Sequence, residues 1–151
     1  MALLISLATS ADRDVCCSLL AAQLEEHSID LAQSELEAAI DAVLARPELG
    51  FFLLAREGTR AVGAAYVSFI WSLEHGGFSS WLDELYVVPE RRGRGVGTEL
   101  LRAVIEHAHN RGCRAVDLEV DQSHARSESL YAREGFRRHR RMRFVQPLSG
   151  D

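Results

Sequence analysis

The chain has no lysine, and all seventeen basic residues among its 151 are arginine. A P-loop is thereby excluded, because that motif needs Lys then Ser/Thr after its last glycine. Cysteine is scarce as well. Cys16, Cys17 and Cys113 are odd in number and the first two are adjacent, so neither a disulfide framework nor a zinc spacing exists, and reduced thiols are expected. No apolar run approaches the ~18 residues of a membrane span. The opening Met1-Ala-Leu-Leu-Ile-Ser-Leu lacks a basic leader and the length of a signal peptide, so a cytoplasmic location without membrane contact is expected. Aromatic residues make up 7%, the net charge is −5 and the arginines have no interleaved aromatics, which argues against a nucleic-acid partner. Among six histidines, His107 and His109 stand two apart and share no helix face. No H-E-x-x-H accompanies them, so no metal site is predicted and surface positions are expected.

What is present suits one domain over residues 1–151, since a hydrophobic content of 47% can build a core without staples. A strand is predicted over Leu3 to Ala8, then a helix capped by Thr9 or Ser10 and running to about Glu26. Ser34, with Glu37 three residues on, predicts a capping box for a second helix whose apolar stripe is Leu36, Ile40, Val43 and Leu44. Phe51 to Arg56 and Ala61 to Trp71 read as a hairpin around Gly58-Thr59, and Ser79 to Val88 as the next strand. Val96, Leu100, Leu101, Val104, Ile105 and Ala108 keep helical period up to Arg111-Gly112. A strand over Ala115 to Val120, a helix over Ser127 to Glu134 and one or two closing strands within Phe136 to Gln146 complete the pattern. The acidic residues concentrate early and the arginines late, which reads chiefly as solvated faces.

The most informative stretch runs from Glu84 to Leu101, a strand leading through a glycine-rich turn into a helix. Gly93, Gly95 and Gly97 let a phosphate approach main-chain N–H groups, and the helix adds unpaired donors and the positive end of its dipole. Arg91, Arg92 and Arg94 add formal charge, so the turn suits a diphosphate. A Rossmann fingerprint needs G-x-G-x-x-G, whereas the spacing here is G-x-G-x-G. The strand-helix-strand unit from Trp81 to Val120 requires a crossover, so its strands are expected parallel while the earlier hairpins are antiparallel.

Arg92-Gly-Arg-Gly95-Val-Gly97 resembles the R/Q-x-x-G-x-G/A signature of the GCN5-related N-acetyltransferases, and Leu130-Tyr131-Ala-Arg-Glu-Gly135-Phe136 resembles the L-Y-x-x-x-G-F segment of that family. The resemblance spans roughly Trp81 to Phe144. It implies an α/β fold with a mixed, mostly antiparallel sheet, helices on both faces and a splayed parallel strand pair that admits acetyl-CoA. By the same resemblance the strand Leu85-Tyr86-Val87 lies along pantetheine, with backbone groups of Leu85 and Val87 offered to it. Arg92, Gly93, Arg94, Gly95, Val96, Gly97 and Thr98 hold the pyrophosphate. Seven residues before Tyr131 the family usually has asparagine on pantetheine, and here the position is His124.

The chemistry implied is attack of a neutral amine on the acetyl thioester by direct transfer, without metal. An ammonium titrating near 10 must first lose a proton, and Asp83 and Glu84 are the candidate acceptors. Successive strand residues face opposite sides unless a bulge intervenes, and either carboxylate alone is as readily an edge-strand charge. Tyr131 matches the family's general-acid tyrosine, and the Val87 N–H is the expected oxyanion donor. The expected acceptor is a small or polyamine-like primary amine, with a peptide N-terminus or protein lysine as an alternative. Trp71, Trp81, Tyr66 and Phe69 either form a cation-π wall for it or pack the core, and Glu74 is placed to hold a second positive charge. A non-catalytic acyl-CoA sensor is the reading from another class, and a homodimer is compatible with the family.

Overall fold

In the computed structural model, which describes residues 2–121 and 125–149, the chain divides into two compact units, Met1–Glu119 and Val120–Asp151. The first unit opens with β1 (Leu3–Leu7), and Thr9 then caps a short 3-10 turn. The Thr9 side chain accepts from the Ala11 N–H, and its own N–H reaches Asp12 Oδ2 at 2.9 Å. Helix α1 (Arg13–Glu26) follows directly and α2 (Gln33–Ala45) after a loop. Ser34 does not cap α2, contrary to the sequence expectation. The Ala32 carbonyl takes the N–H groups of Glu35 and Leu36 at 3.0 and 3.1 Å, so the helix starts earlier and Ser34 lies inside its first turn.

Strands β2 (Gly50–Glu57), β3 (Arg60–Ser72), β4 (Gly77–Val87) and β5 (Val116–Leu118) join β1 in one sheet of order β1-β2-β3-β4-β5. All pairings are antiparallel except β4 with β5, which is parallel, and α3 (Val96–Asn110) makes the crossover between those two. The expected mixed, mostly antiparallel α/β sheet is therefore observed. Gly58-Thr59 forms the two-residue hairpin turn between β2 and β3.

Helices cover both faces of this sheet. On one, Cys16, Leu19 and Leu20 of α1 and Ile40 of α2 pack with Phe52, Leu54, Ala64 and Tyr86. On the other, α3 buries Val96, Leu100, Leu101, Val104 and Ala108, one stripe at helical spacing. Gly63 lets α3 approach closely, since a Cβ there would lie 2.8 Å from Leu100 Cδ1 and 3.0 Å from the Tyr86 carbonyl. His107 is half-buried, its ring 5.8 Å from that of Phe51, so the surface position expected from sequence holds for His109 alone. All three cysteines are free, and burial pushes the Cys16 thiol up to about 12.

The second unit contains α4 (Ala125–Arg133), after which residues 135–149 form no strand. The closing strands expected within Phe136 to Gln146 are thus absent from the described residues. Arg137, Arg138, Arg140, Arg141 and Arg143 are all exposed, and this run of like charge offers no alternating apolar row to bury against a sheet. Among the described residues, no helix is long and apolar enough to cross a membrane.

Candidate active site

One extra residue in β4 decides which carboxylate turns where. Tyr66 pairs with Glu84 and Val67 with Leu82, so Asp83 is the extra residue of a bulge in the β3–β4 register. In a regular strand residues 82 and 84 would share a face. Here the bulge sends Leu82 to the α3 side with Val67, and Glu84 to the α1/α2 side with Tyr66. Asp83 stays exposed. Glu84 is half-buried, and its Oε2 is the one buried side-chain oxygen among the described residues that has no hydrogen-bond partner. Burial first, and then the neighbouring Asp83 charge, push the Glu84 carboxyl up to about 7. An unpaired buried carboxyl is costly, so it needs a donor from outside the fold, such as water or an ammonium.

Beside Glu84 the sheet opens. The parallel ladder holds only Ser80, Leu82 and the residue between them against Val116 to Leu118, and β4 continues to Val87 without β5. Val88 donates to the Val62 carbonyl at 2.9 Å, which fixes the alternation. The backbone groups of Tyr86 point toward β3, and those of Leu85 and Val87 point to the open edge. The Tyr86 side chain, 5% exposed, belongs to the α1/α2 core.

The glycine turn ends this edge. Gly93 and Gly95 have φ of +76° and +87°, and a Cβ on either would meet nothing within 4 Å, so dihedral angle rather than space demands glycine. Gly95 caps α3 without any side-chain bond, and the first helical bond is Glu99 N–H to the Gly95 carbonyl at 3.0 Å. The N–H groups of Val96, Gly97 and Thr98 thus lack helical partners. Val96 lies over Gly63, whose strand partner is Val87, so the helix N-terminus stands at the end of the open edge.

The three arginines of the turn differ. Arg91 is paired with Glu57 at 2.6 Å. Arg92 donates from Nε to the Val87 carbonyl at 2.8 Å and from Nη2 to Glu26 at 2.5 Å, and it lies over the Tyr86 ring. Arg94 is exposed. The unbonded donors at the α3 N-terminus and the exposed Arg94 fit a diphosphate, and the outward-facing backbone groups of Leu85 with the Val87 N–H fit an extended chain beside it, the Val87 carbonyl being taken by Arg92.

The aromatic residues expected to form one wall divide between two faces. Residues 66 and 69 of β3 have opposite parity. Tyr66 lies with Phe52 on the Glu84 side, and Trp81, opposite Ser68, joins that side. Phe69 packs on Phe51 and Phe78 under Arg111, on the α3 side. Trp71 is 72% exposed on the outer part of β3.

In the second unit, Tyr131 is half-buried on α4, edge-on to Phe136 with ring centroids 5.8 Å apart. The Phe136 N–H bonds the Tyr131 carbonyl at 3.0 Å, and burial raises the Tyr131 phenol above its ordinary value. His124 lies outside the described residues. Among those residues, no group of three or more His, Cys, Asp or Glu side chains is arranged to hold a metal.

A crossover helix with an uncapped N-terminus, beside a parallel pair that parts, makes a mixed α/β domain with an anion-accepting end at one sheet edge. The chain belongs to the acetyltransferase (GNAT) family, whose pattern it matches over residues 15–136. It is 31% identical over 119 residues to the aminoglycoside N(6')-acetyltransferase type 1 of Klebsiella aerogenes, covering 77% of this chain and 78% of that one. With the thialysine N-epsilon-acetyltransferase of Mus musculus it shares 35% identity over 75 residues, half of this chain and 44% of the mouse protein. The chain spans less than half the length of several relatives it matches, 44%, 30% and 42% in three of them. An integron cassette protein from the mobile metagenome of Cole Harbour Salt Marsh superposes with a TM-score of 0.85 at 29% identity, covering 97% of this chain and 91% of its own.

Proposed function

We propose that the protein transfers an acetyl group from acetyl-CoA directly to a primary amine, with a small cationic acceptor favoured. The observation that carries this reading is Glu84, a half-buried carboxyl near pKa 7 with an unpaired oxygen, beside the edge where β4 parts from β5. A base poised there can take a proton from an ammonium at neutral pH, directly or through one water. Tyr66 and Trp81 stand on the same face and offer rings to the cation. Acetyl-CoA, when bound, supplies the activated acyl group. The α3 N-terminus, Gly93, Gly95, Arg92 and Arg94 hold its diphosphate, and the Leu85 and Val87 edge aligns its arm. The Val87 N–H faces the position of a developing oxyanion. Tyr131, kept protonated by its raised pKa, returns a proton to the departing thiolate. The family match runs through both compact units, which supports treating residues 1–151 as one functional domain.

Two relatives named above are a thialysine and an aminoglycoside acetyltransferase, so an amine on a polar, cationic scaffold is the acceptor class we favour. The test is acetyl-CoA-dependent release of free thiol across polyamines, aminoglycosides, amino acids and peptide N-termini, with calorimetric acetyl-CoA binding on the same sample. Turnover on one class names the acceptor. Binding without turnover on any of them favours a sensor, and absence of binding rejects the reading of the turn. Tyr131→Phe is expected to lower kcat by about 100-fold while leaving acetyl-CoA affinity near that of the parent. Unchanged turnover on the identified acceptor would remove Tyr131 from the mechanism.

A further inference from the structure

Glu26 is the last residue of α1, a position where the helix dipole disfavours a carboxylate, and no basic residue in the last turn of α1 offsets it. Its partner comes from 66 positions away, where Arg92 Nη2 lies 2.5 Å from Oε2. Both side chains remain substantially accessible, at 46% for Arg92 and 39% for Glu26, so the pair is open to exchange with a solute anion. Arg92 does not need Glu26 to hold its place. Its Nε is bonded to the Val87 carbonyl, and its guanidinium lies 5.6 Å from the Tyr86 ring centroid. Arg91 is differently placed, being less exposed and closed onto Glu57.

From this geometry we propose that Glu26 is a built-in competitor of the cofactor, a carboxylate that occupies Arg92 until a diphosphate displaces it. The proposal rests on the reading that acetyl-CoA binds with its diphosphate at the Arg92 to Thr98 turn. A guanidinium that swaps a carboxylate for a diphosphate trades one anion for a more highly charged one. The turn then tightens on the ligand while the end of α1 is released. Glu26 therefore sets acetyl-CoA affinity below what the turn alone would give, and its carboxylate becomes available at the α1/α2 side of the sheet, the side that carries Glu84. It acts as a positioning residue through Arg92 and has no part in the chemical step.

The sign of one substitution separates this from a supporting role. If Glu26 merely oriented Arg92, Glu26→Gln would weaken acetyl-CoA binding. Under the proposal, Glu26→Gln tightens it by about 2- to 5-fold, the range open to an accessible ion pair. The same change in an Arg92→Gln background has no effect, and binding of S-acetylpantetheine, which lacks the diphosphate, is equal in the parent and in Glu26→Gln. Calorimetric titration of the four proteins with acetyl-CoA, and of the parent and Glu26→Gln with S-acetylpantetheine, gives every term. Unchanged or weaker acetyl-CoA binding in Glu26→Gln overturns the inference, as does an equal gain with S-acetylpantetheine or a gain that survives Arg92→Gln. Failure of the parent itself to bind acetyl-CoA overturns the underlying reading of the turn instead.

Discussion

Replacing Glu84 with Gln is expected to lower kcat by roughly 100- to 10,000-fold, the usual contribution of a positioned general base, and to leave acetyl-CoA binding intact. The substitution keeps size and hydrogen-bonding capacity and removes only the titration. In the parent, kcat/KM should fall on the acid side with a midpoint near 7, because burial and the Asp83 charge raise the carboxyl to about that value. Asp83→Asn should move that limb to lower pH by removing the second cause. Stability changes in the opposite sense to activity. The folded pKa lies above the unfolded one, so between about 4.5 and 7 the native state holds more protons than the unfolded chain, and stability contributed at this site falls as pH rises through that window. Glu84→Gln should therefore melt higher than the parent at pH 8 and no higher at pH 4. A pH-rate profile and melting curves at the two pH values check both statements. An unshifted acid limb in Asp83→Asn, or kcat preserved in Glu84→Gln, would remove Glu84 as the base.

Gly50→Ala is expected to be the most damaging small substitution in the fold. A Cβ at Gly50 would lie 2.1 Å from the Val67 carbonyl oxygen and 3.0 Å from Ser68 Cα, both backbone atoms of the paired strand β3. A flexible side chain can rotate away from such a contact, but a strand in the middle of a sheet cannot. Relief requires the β2–β3 ladder to open at its end, and Val67 is fully buried. A loss of about 3 kcal/mol is expected, the upper end for overpacking a tight interior, with a fall in Tm of roughly 10 °C for a chain of this size. Chemical denaturation checks it directly, and a variant within 0.5 kcal/mol of the parent, the ordinary surface range, would show that β2 can shift.

The anion turn and the two sequence motifs were legible because their information is local. Glycine spacing, adjacent arginines and the apolar stripe of α3 fix a strand, a left-handed turn and a helix start with no help from distant residues. The β2–β3 hairpin was legible through alternation and a two-residue turn, and the parallel β4–β5 pair through the crossover that a strand-helix-strand unit requires. Side-chain parity at the site was not. Nothing in Asp83-Glu84 announces which residue is the extra one, since a bulge is settled by both flanks at once, with Leu82 needed under α3 and Tyr86 needed under α1. The aromatic wall failed on a related point, because Tyr66 and Phe69 stand three apart and a strand places such residues back to back. The N-cap of α2 lies two residues before Ser34, at Ala32, since a serine with a glutamate three residues on also occurs inside a first turn. After Phe136 the arginines carry no period at all, and a sequence without a period cannot specify strands.

The β4 bulge also separates two kinds of position in this strand. Every other residue from Leu82 to Tyr86 is tied to a partner across the ladder or to one half of the core, so a change there alters stability. Asp83 is exempt from the ladder, and a substitution at it leaves the pairing of its neighbours in place. It therefore sits where the charge beside Glu84 can be changed without re-pairing the strand that supports it. Deleting it, by contrast, would restore strict alternation and rotate either the carboxyl or the core to the wrong side. The sheet tolerates variation in what this position is, and does not tolerate its loss.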